Sequence, residues 1–239
     1  NVGTGNRVKR KRNVYAELTD AEQNLHLLYS RANAKISDIK KFYQQAVLPL
    51  PALLSSNGTS QSYFIIQVSA GNNSTPFKNW PMQYWAILIE RLCRSYPNSD
   101  FVIVGDDTER EYIQTLEKTG YHNCRILIGK TTVKEVFALT GNSDGYIGLD
   151  SGIMHMAVAL QKRTVTIFGA SNENLYGYET LDPENHKVIR SSLSCRPCSG
   201  WKNANTSRVN DPMLCPDFAC LTSITPDHVF EQVITHFTL

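Results

Sequence analysis

The stretch from Gly145 to Gly169, GYIGLDSGIMHMAVALQKRTVTIFG, leaves the chain little choice of fold. A short apolar run (Tyr146, Ile147, Leu149) reaches Asp150, Ser151 and Gly152. Ile153, Met154, Met156, Ala157, Val158 and Leu160 follow at helical spacing, and then comes a β-branched run from Thr164 to Phe168. Strand, helix and strand in so short a span make a βαβ unit, whose two strands must run parallel. Open parallel sheets take their ligands beyond the carboxyl ends of the strands. Asp150, Ser151 and Gly152 stand at such an end, ahead of a helix whose first N–H groups point outward. That is a place to hold an anion. His155, one turn into the helix, is expected to face the same mouth.

The preceding chain repeats this alternation. Strands YFIIQV (63–68), FVIVG (101–105) and RILIG (125–129) are separated by helices expected at Met82 to Ser95, at about Thr108 to Lys118 and at Val133 to Thr140. Strands rich in Val and Ile, without polar alternation, belong in a sheet covered on both faces. The expectation is an α/β, Rossmann-like, doubly wound parallel sheet over residues 61–239, with a cysteine-containing loop near its C-terminal end. Residues 1–60 read as a helical lead-in, the remnant of an N-terminal domain and its linker. Asp20 can cap a helix with Gln23 three positions on. Pro49, Pro51 and the polar stretch from Ser55 to Ser62 form a connector at the boundary. Because the chain opens on Asn1 rather than Met, it is expected to be a piece of something longer.

A net charge of +2 in 239 residues gives no pull toward nucleic acid. No apolar run approaches the ~18 residues that a membrane span needs. The one strong local charge is the basic run Arg7, Lys9, Arg10, Lys11 and Arg12. It is either a solvated loop or a cationic contact for an acidic acceptor or an anionic membrane surface.

Three further loops lie at strand ends. Ser69 to Pro81 is rich in small polar residues, Asn73 among them, and places Lys78 just before Trp80-Pro81, where Pro81 is expected to begin a helix. Asp107, in GDD after the second strand, can cap the following helix. Thr131, in GKTT, follows the third strand. There is no GxGxxG and no GxxxxGK[ST], which disfavours a dinucleotide oxidoreductase and a P-loop NTPase. No carboxylate pattern indicates a divalent-metal site. Cys195, Cys198, Cys215 and Cys220 read C-x2-C-x16-C-x4-C, a spacing open to structural zinc, to reduced thiols packing a loop or to disulfides. The five histidines other than His155 show no ligand-like pairing.

DSGIMHMAVAL followed by TVTIFGAS closely resembles the C-terminal signature of the ADP-heptose:lipopolysaccharide heptosyltransferases, glycosyltransferase family nine, which have the GT-B fold. The resemblance implies that Asp150, Ser151, Gly152 and His155 hold the donor diphosphate. It also implies that Lys78, in a K-x-W-P element, neutralises that diphosphate, with Asn73 nearby in the same loop. Asp107 would meet the ribose and Thr131 the adenine edge. Family members also carry cysteines before a terminal I-x-P helix, here Ile224-Thr225-Pro226. The implied reaction is inverting transfer of heptose from ADP-heptose, or a similar nucleotide sugar, to a lipopolysaccharide core acceptor. It needs no metal or other cofactor, and it would run in the bacterial cytoplasm, with peripheral association at the inner membrane. The catalytic base is expected on an N-terminal domain for which residues 1–60 are too short and too helical. Two rivals stay open: a GT-B enzyme using another nucleotide sugar, and a non-catalytic nucleotide-binding or zinc-stapled interaction module.

Overall fold

The computed structural model describes residues 62–70, 75–105, 117, 120–198, 212 and 215–239. The helical lead-in, its boundary near residue 60 and the basic run lie outside these residues. Of the helix expected near 108–118, only residue 117 is described, and it is helical.

Six parallel strands form one sheet: β1 (Tyr63–Gln67), β2 (Asp100–Val104), β3 (Cys124–Ile126), β4 (Gly145–Leu149), β5 (Arg163–Phe168) and β6 (His186–Arg190). Their spatial order is β3-β2-β1-β4-β5-β6. The chain steps outward from β1 to β3, then returns to the other side of β1 and steps outward again. The reversal falls between β1 and β4, where Phe64 pairs with Gly145 and Ile66 with Ile147. In a doubly wound sheet the crevice beyond the strand ends at such a reversal is where ligands sit.

The central strands have both faces covered, as their composition demands. Phe64, Ile66, Phe101, Ile103, Ile147 and Leu149 join one buried cluster, while Ile65, Val102, Val104 and Tyr146 join the other. The first face is covered by α1 (Met82–Ser95), which buries Trp85, Leu88, Ile89 and Leu92, a single stripe at i, i+3, i+4 and i+7. Beside it lies α6 (Pro226–Phe237), capped by Thr225, whose hydroxyl accepts from His228 N–H at 3.2 Å. The second face is covered by α2 (Val133–Asn142) and α3 (Gly152–Ala159). Two short helices, α4 (Glu173–Tyr176) and α5 (Ala219–Thr222), complete the fold. Among the described residues no helix is long and apolar enough to cross a membrane.

The differences from expectation are small and have physical reasons. Pro81 is the residue before α1 rather than its first residue, with φ −53° and ψ 133°. It adopts an extended ψ and offers its carbonyl to Tyr84 and Trp85. β3 ends at Ile126, since Leu127 makes one more bond to β2 before Gly129, at φ 66°, turns the chain away. β6 has no apolar run to announce it. His186 and Lys187 interrupt its pattern, yet His186 is buried through a bond to Thr164 rather than by hydrophobicity.

Candidate functional site

The loops after β1 and β4 meet at the sheet's reversal point. In the β1 loop, Pro76–Lys78 forms one 3-10 turn, stabilised by Lys78 N–H to Thr75 C=O at 2.9 Å. Asn79 Oδ1 accepts from Ala70 N–H at 2.8 Å, and buried Trp80 donates its indole N–H to Ile224 C=O at 2.9 Å. The loop is thereby tied down on both sides of Lys78. Its ammonium lies 2.7 Å from Asp150 Oδ2 at the end of β4 and 3.4 Å from the Asp150 carbonyl oxygen. The two side chains are 12% and 4% exposed. Among the described residues Asp150 Oδ2 meets no further hydrogen-bond donor, and the ion pair with Lys78 is the contact that holds it. Lys78 therefore points across to β4 rather than along the axis of α1.

Ser151 is the N-cap of α3, accepting from Met154 N–H at 3.4 Å. Its hydroxyl donates to Gln67 Oε1. Gln67 also accepts from Tyr146 Oη at 2.8 Å and donates its amide to Ser69 C=O at 2.8 Å. Tyr146 Oη in turn accepts from Leu149 N–H at 3.2 Å. The buried Gln67–Tyr146–Ser151 group thus fixes the backbone from which α3 starts. In that first turn the amides of Gly152 and Ile153 have no intrahelical acceptor by geometry. Among the described residues, a Cβ built on Gly152 would meet no atom within 4 Å beyond its chain neighbours and its own helix backbone. The packing of the described residues therefore does not demand glycine there.

His155, one turn along, bonds its Nδ1 to Tyr178 Oη at 2.7 Å, with the rings edge-on. Thr131 lies apart from this group, after β3, with a buried hydroxyl that has no hydrogen-bond partner among the described residues. The next residue, Thr132, caps α2 in a reciprocal capping box with Glu135. Asn73 and Asp107 lie outside the described residues. The described part of the site thus brings together Lys78, Asp150, Ser151 and Gly152, with His155 beside them and Thr131 separate.

Three residues escaped the sequence reading. Gln67 carried a signal, being the only amide in an apolar central strand. Tyr146 carried a fainter one, a large residue two positions before Gly148, where a Cβ would lie 2.5 Å from its Cζ. Tyr178 carried none.

All six cysteines are free thiols. Burial and the neighbouring thiols push Cys198 up, and the same causes raise Cys220 to about 11. Cys195, Cys198, Cys215 and Cys220 thus feel one another. Among the described residues, however, no three His, Cys, Asp or Glu side chains stand close enough to hold a metal ion.

Comparison with known proteins matches the same segments. The model of Glycosyltransferase family 9 (heptosyltransferase) matches residues 4–207, taking in the lead-in as well as the sheet up to β6. Lipooligosaccharide heptosyltransferase 2 of Campylobacter jejuni is 25% identical over 228 residues, which cover 89% of this chain and 63% of that protein. The chain therefore spans less than two thirds of that relative's length. Among solved structures, the E. coli ADP-heptose lps heptosyltransferase II superposes with a TM-score of 0.54 at 20% identity, over 83% of this chain and 51% of that one. E. coli heptosyltransferase WaaC with ADP gives 0.54 at 17% identity, over 83% and 48%. At these identities the structural likeness speaks to fold alone.

Proposed function

This chain belongs to glycosyltransferase family 9, the heptosyltransferases, and from that premise we propose that it is the donor-binding part of an enzyme transferring heptose from ADP-heptose to a lipopolysaccharide core acceptor. The observation that carries the reading is the meeting of Lys78 with the N-terminus of α3 at the sheet's reversal point. A departing diphosphate gathers negative charge on its bridging oxygen as the bond to the anomeric carbon breaks. Lys78 and the Gly152 and Ile153 amides supply fixed positive poles for that charge. Asp150 holds Lys78 in place instead of touching phosphate, because a carboxylate beside a diphosphate would repel it. His155, one turn on, would serve as a donor to phosphate or sugar.

Asn73 belongs to the phosphate loop and Asp107 to the ribose. Thr131 would meet the adenine edge, because β3 is three strand spacings from β4, roughly 14 Å. The acceptor hydroxyl would attack from the face opposite the diphosphate, inverting the anomeric carbon, and its proton would go to a base that we assign to no residue of this chain. An acidic acceptor on the cytoplasmic face of the inner membrane completes the reading.

Calorimetric titration with ADP, ADP-heptose, UDP and UDP-sugars tests it. ADP and ADP-heptose are expected to bind and the uridine ligands to bind far more weakly. Preference for a UDP-sugar would make this a GT-B enzyme of another donor class. Failure of every nucleotide to bind would leave a non-catalytic module.

A further inference from the structure

We propose that Tyr178 is a positioning residue for His155, its phenol holding the imidazole in one tautomer and one orientation beside the start of α3. The proposal rests on the donor-site reading above and extends it to a residue on a different segment, beyond β5.

The contact is short and directional. Tyr178 Oη lies 2.7 Å from His155 Nδ1, with ring centroids 5.5 Å apart and planes at 73°. In a neutral imidazole one nitrogen carries the proton and the other a lone pair, and the partner of one decides the state of both. A phenol, with an ordinary pKa of about 10, is the natural proton donor to a neutral imidazole nitrogen. Tyr178 Oη–H thus donates to Nδ1, and the ring proton resides on Nε2. The opposite tautomer would turn a lone pair toward an anionic diphosphate, where a donor is needed.

Tyr178 is itself held from several sides. Its ring lies edge-on to His186 at 5.8 Å, and His186 Nδ1 bonds Thr164 Oγ1 on β5 at 3.1 Å. Its carbonyl accepts from Leu181 and Asp182 N–H, each at 3.0 Å. The adjacent Glu179 pairs with Lys187 at 3.1 Å and Arg190 at 3.3 Å on β6. The phenol is therefore referred to β5 and β6, next to the strand that carries Asp150. A group fixed to the sheet in this way can orient a side chain on α3 without touching the ligand.

Two readouts on the intact chain test this. In the first, two-bond proton–nitrogen correlation spectra of the 15N-labelled chain at about pH 8, where imidazole is neutral, are expected to show His155 as the Nε2–H tautomer. Tyr178→Phe, which keeps the ring and its edge contacts, is expected to lose that preference. In the second, ADP-heptose titrations compare Tyr178→Phe, His155→Ala and the double variant. Tyr178→Phe is expected to weaken binding roughly threefold to tenfold, a fraction of one charge-assisted hydrogen bond. The double variant should be no weaker than His155→Ala alone, since a positioning residue acts only through the residue it positions. An unchanged tautomer in Tyr178→Phe, or additive losses in the double variant, would overturn the proposal. If His155→Ala leaves binding unchanged while the tautomer still follows Tyr178, the donor-site role of His155 fails and the orienting contact stands.

Discussion

Lys78 Nζ and Asp150 Oδ2 are joined at 2.7 Å across the one place where the strand order reverses. The pair links the β1 loop to the β4 loop and leaves little net charge between them. In the proposed function, a diphosphate arriving there would share an ammonium that already has a partner. Lys78→Ala removes the shared cation and leaves a buried carboxylate unpaired. ADP affinity is expected to fall about ten- to a hundredfold, the worth of a charge-assisted contact at roughly 1.5–3 kcal/mol. Adenosine affinity should barely change. Asp150→Asn leaves Lys78 to the ligand and is expected to cost less in ADP affinity. The double variant should recover stability relative to Lys78→Ala, because the unpaired buried charge is gone. Calorimetry with ADP and adenosine, together with thermal melts, checks all three.

Gly152 makes a contrasting prediction, because the packing of the described residues has no need of glycine there. A Cβ would touch none of their atoms within 4 Å beyond its own helix and neighbours, and the residue begins an ordinary helix. Gly152→Val is therefore expected to melt within a few degrees of the parent. It should nevertheless abolish ADP binding if the phosphates approach the backbone at this point. A melting curve and a titration on the same sample separate the two effects. Undiminished ADP affinity would move the phosphates elsewhere.

Most of the sheet was legible because strands β1, β2 and β4 are largely apolar without alternation, β5 is a β-branched run of Thr, Val and Ile, and α1 shows its buried stripe in sequence. The end of β4 was legible as a candidate site because Asp, Ser and Gly stand together between a strand and a helix. The contact of Ser151 with Gln67 was not legible, since the two lie 84 positions apart and only the strand order brings them together. Tyr178 was illegible for the same reason, at a separation of 23 residues from His155 and with no motif around it. Long-range partners of polar groups are set by topology, and no local pattern announces them.

Gly148 tests whether the polar group beneath the site matters. The absence of a Cβ at Gly148 gives Tyr146 room to lie along β4 and reach Gln67 and the Leu149 amide. Gly148→Ala would drive a methyl group into the phenol, and strain of this kind typically costs about 1–3 kcal/mol. The expected result is a lower denaturation midpoint together with weaker ADP binding, because the displaced phenol also frees Gln67 and Ser151. Tyr146→Phe, which keeps the ring, should lose less stability. A denaturant titration of both variants orders the two effects.

The last prediction concerns pH and arises at His186, whose ring lies edge-on to Tyr178. Burial holds His186 down to about 4, from an ordinary value near 6.5. Asp182 opposes that shift and His236 adds to it. The folded state keeps the imidazole neutral, with Nδ1 against Thr164 Oγ1 at 3.1 Å. The unfolded chain takes up a proton as pH falls below about 6.5, whereas the folded chain does so only near pH 4. The unfolded state thus binds more protons in that window, so stability rises with pH across it and is lost as pH falls. A depression of this size corresponds to about 3 kcal/mol, essentially all of it present above pH 7 and gone below pH 4. His186→Gln can keep a polar contact with Thr164 without titrating. Carboxylates also titrate at the acid end, so the quantity to measure is the difference in unfolding free energy between parent and variant from pH 7.5 to 4. That difference should shift in favour of the variant as pH falls. A constant difference across the range would show that His186 protonates as easily in the folded chain as in the unfolded one.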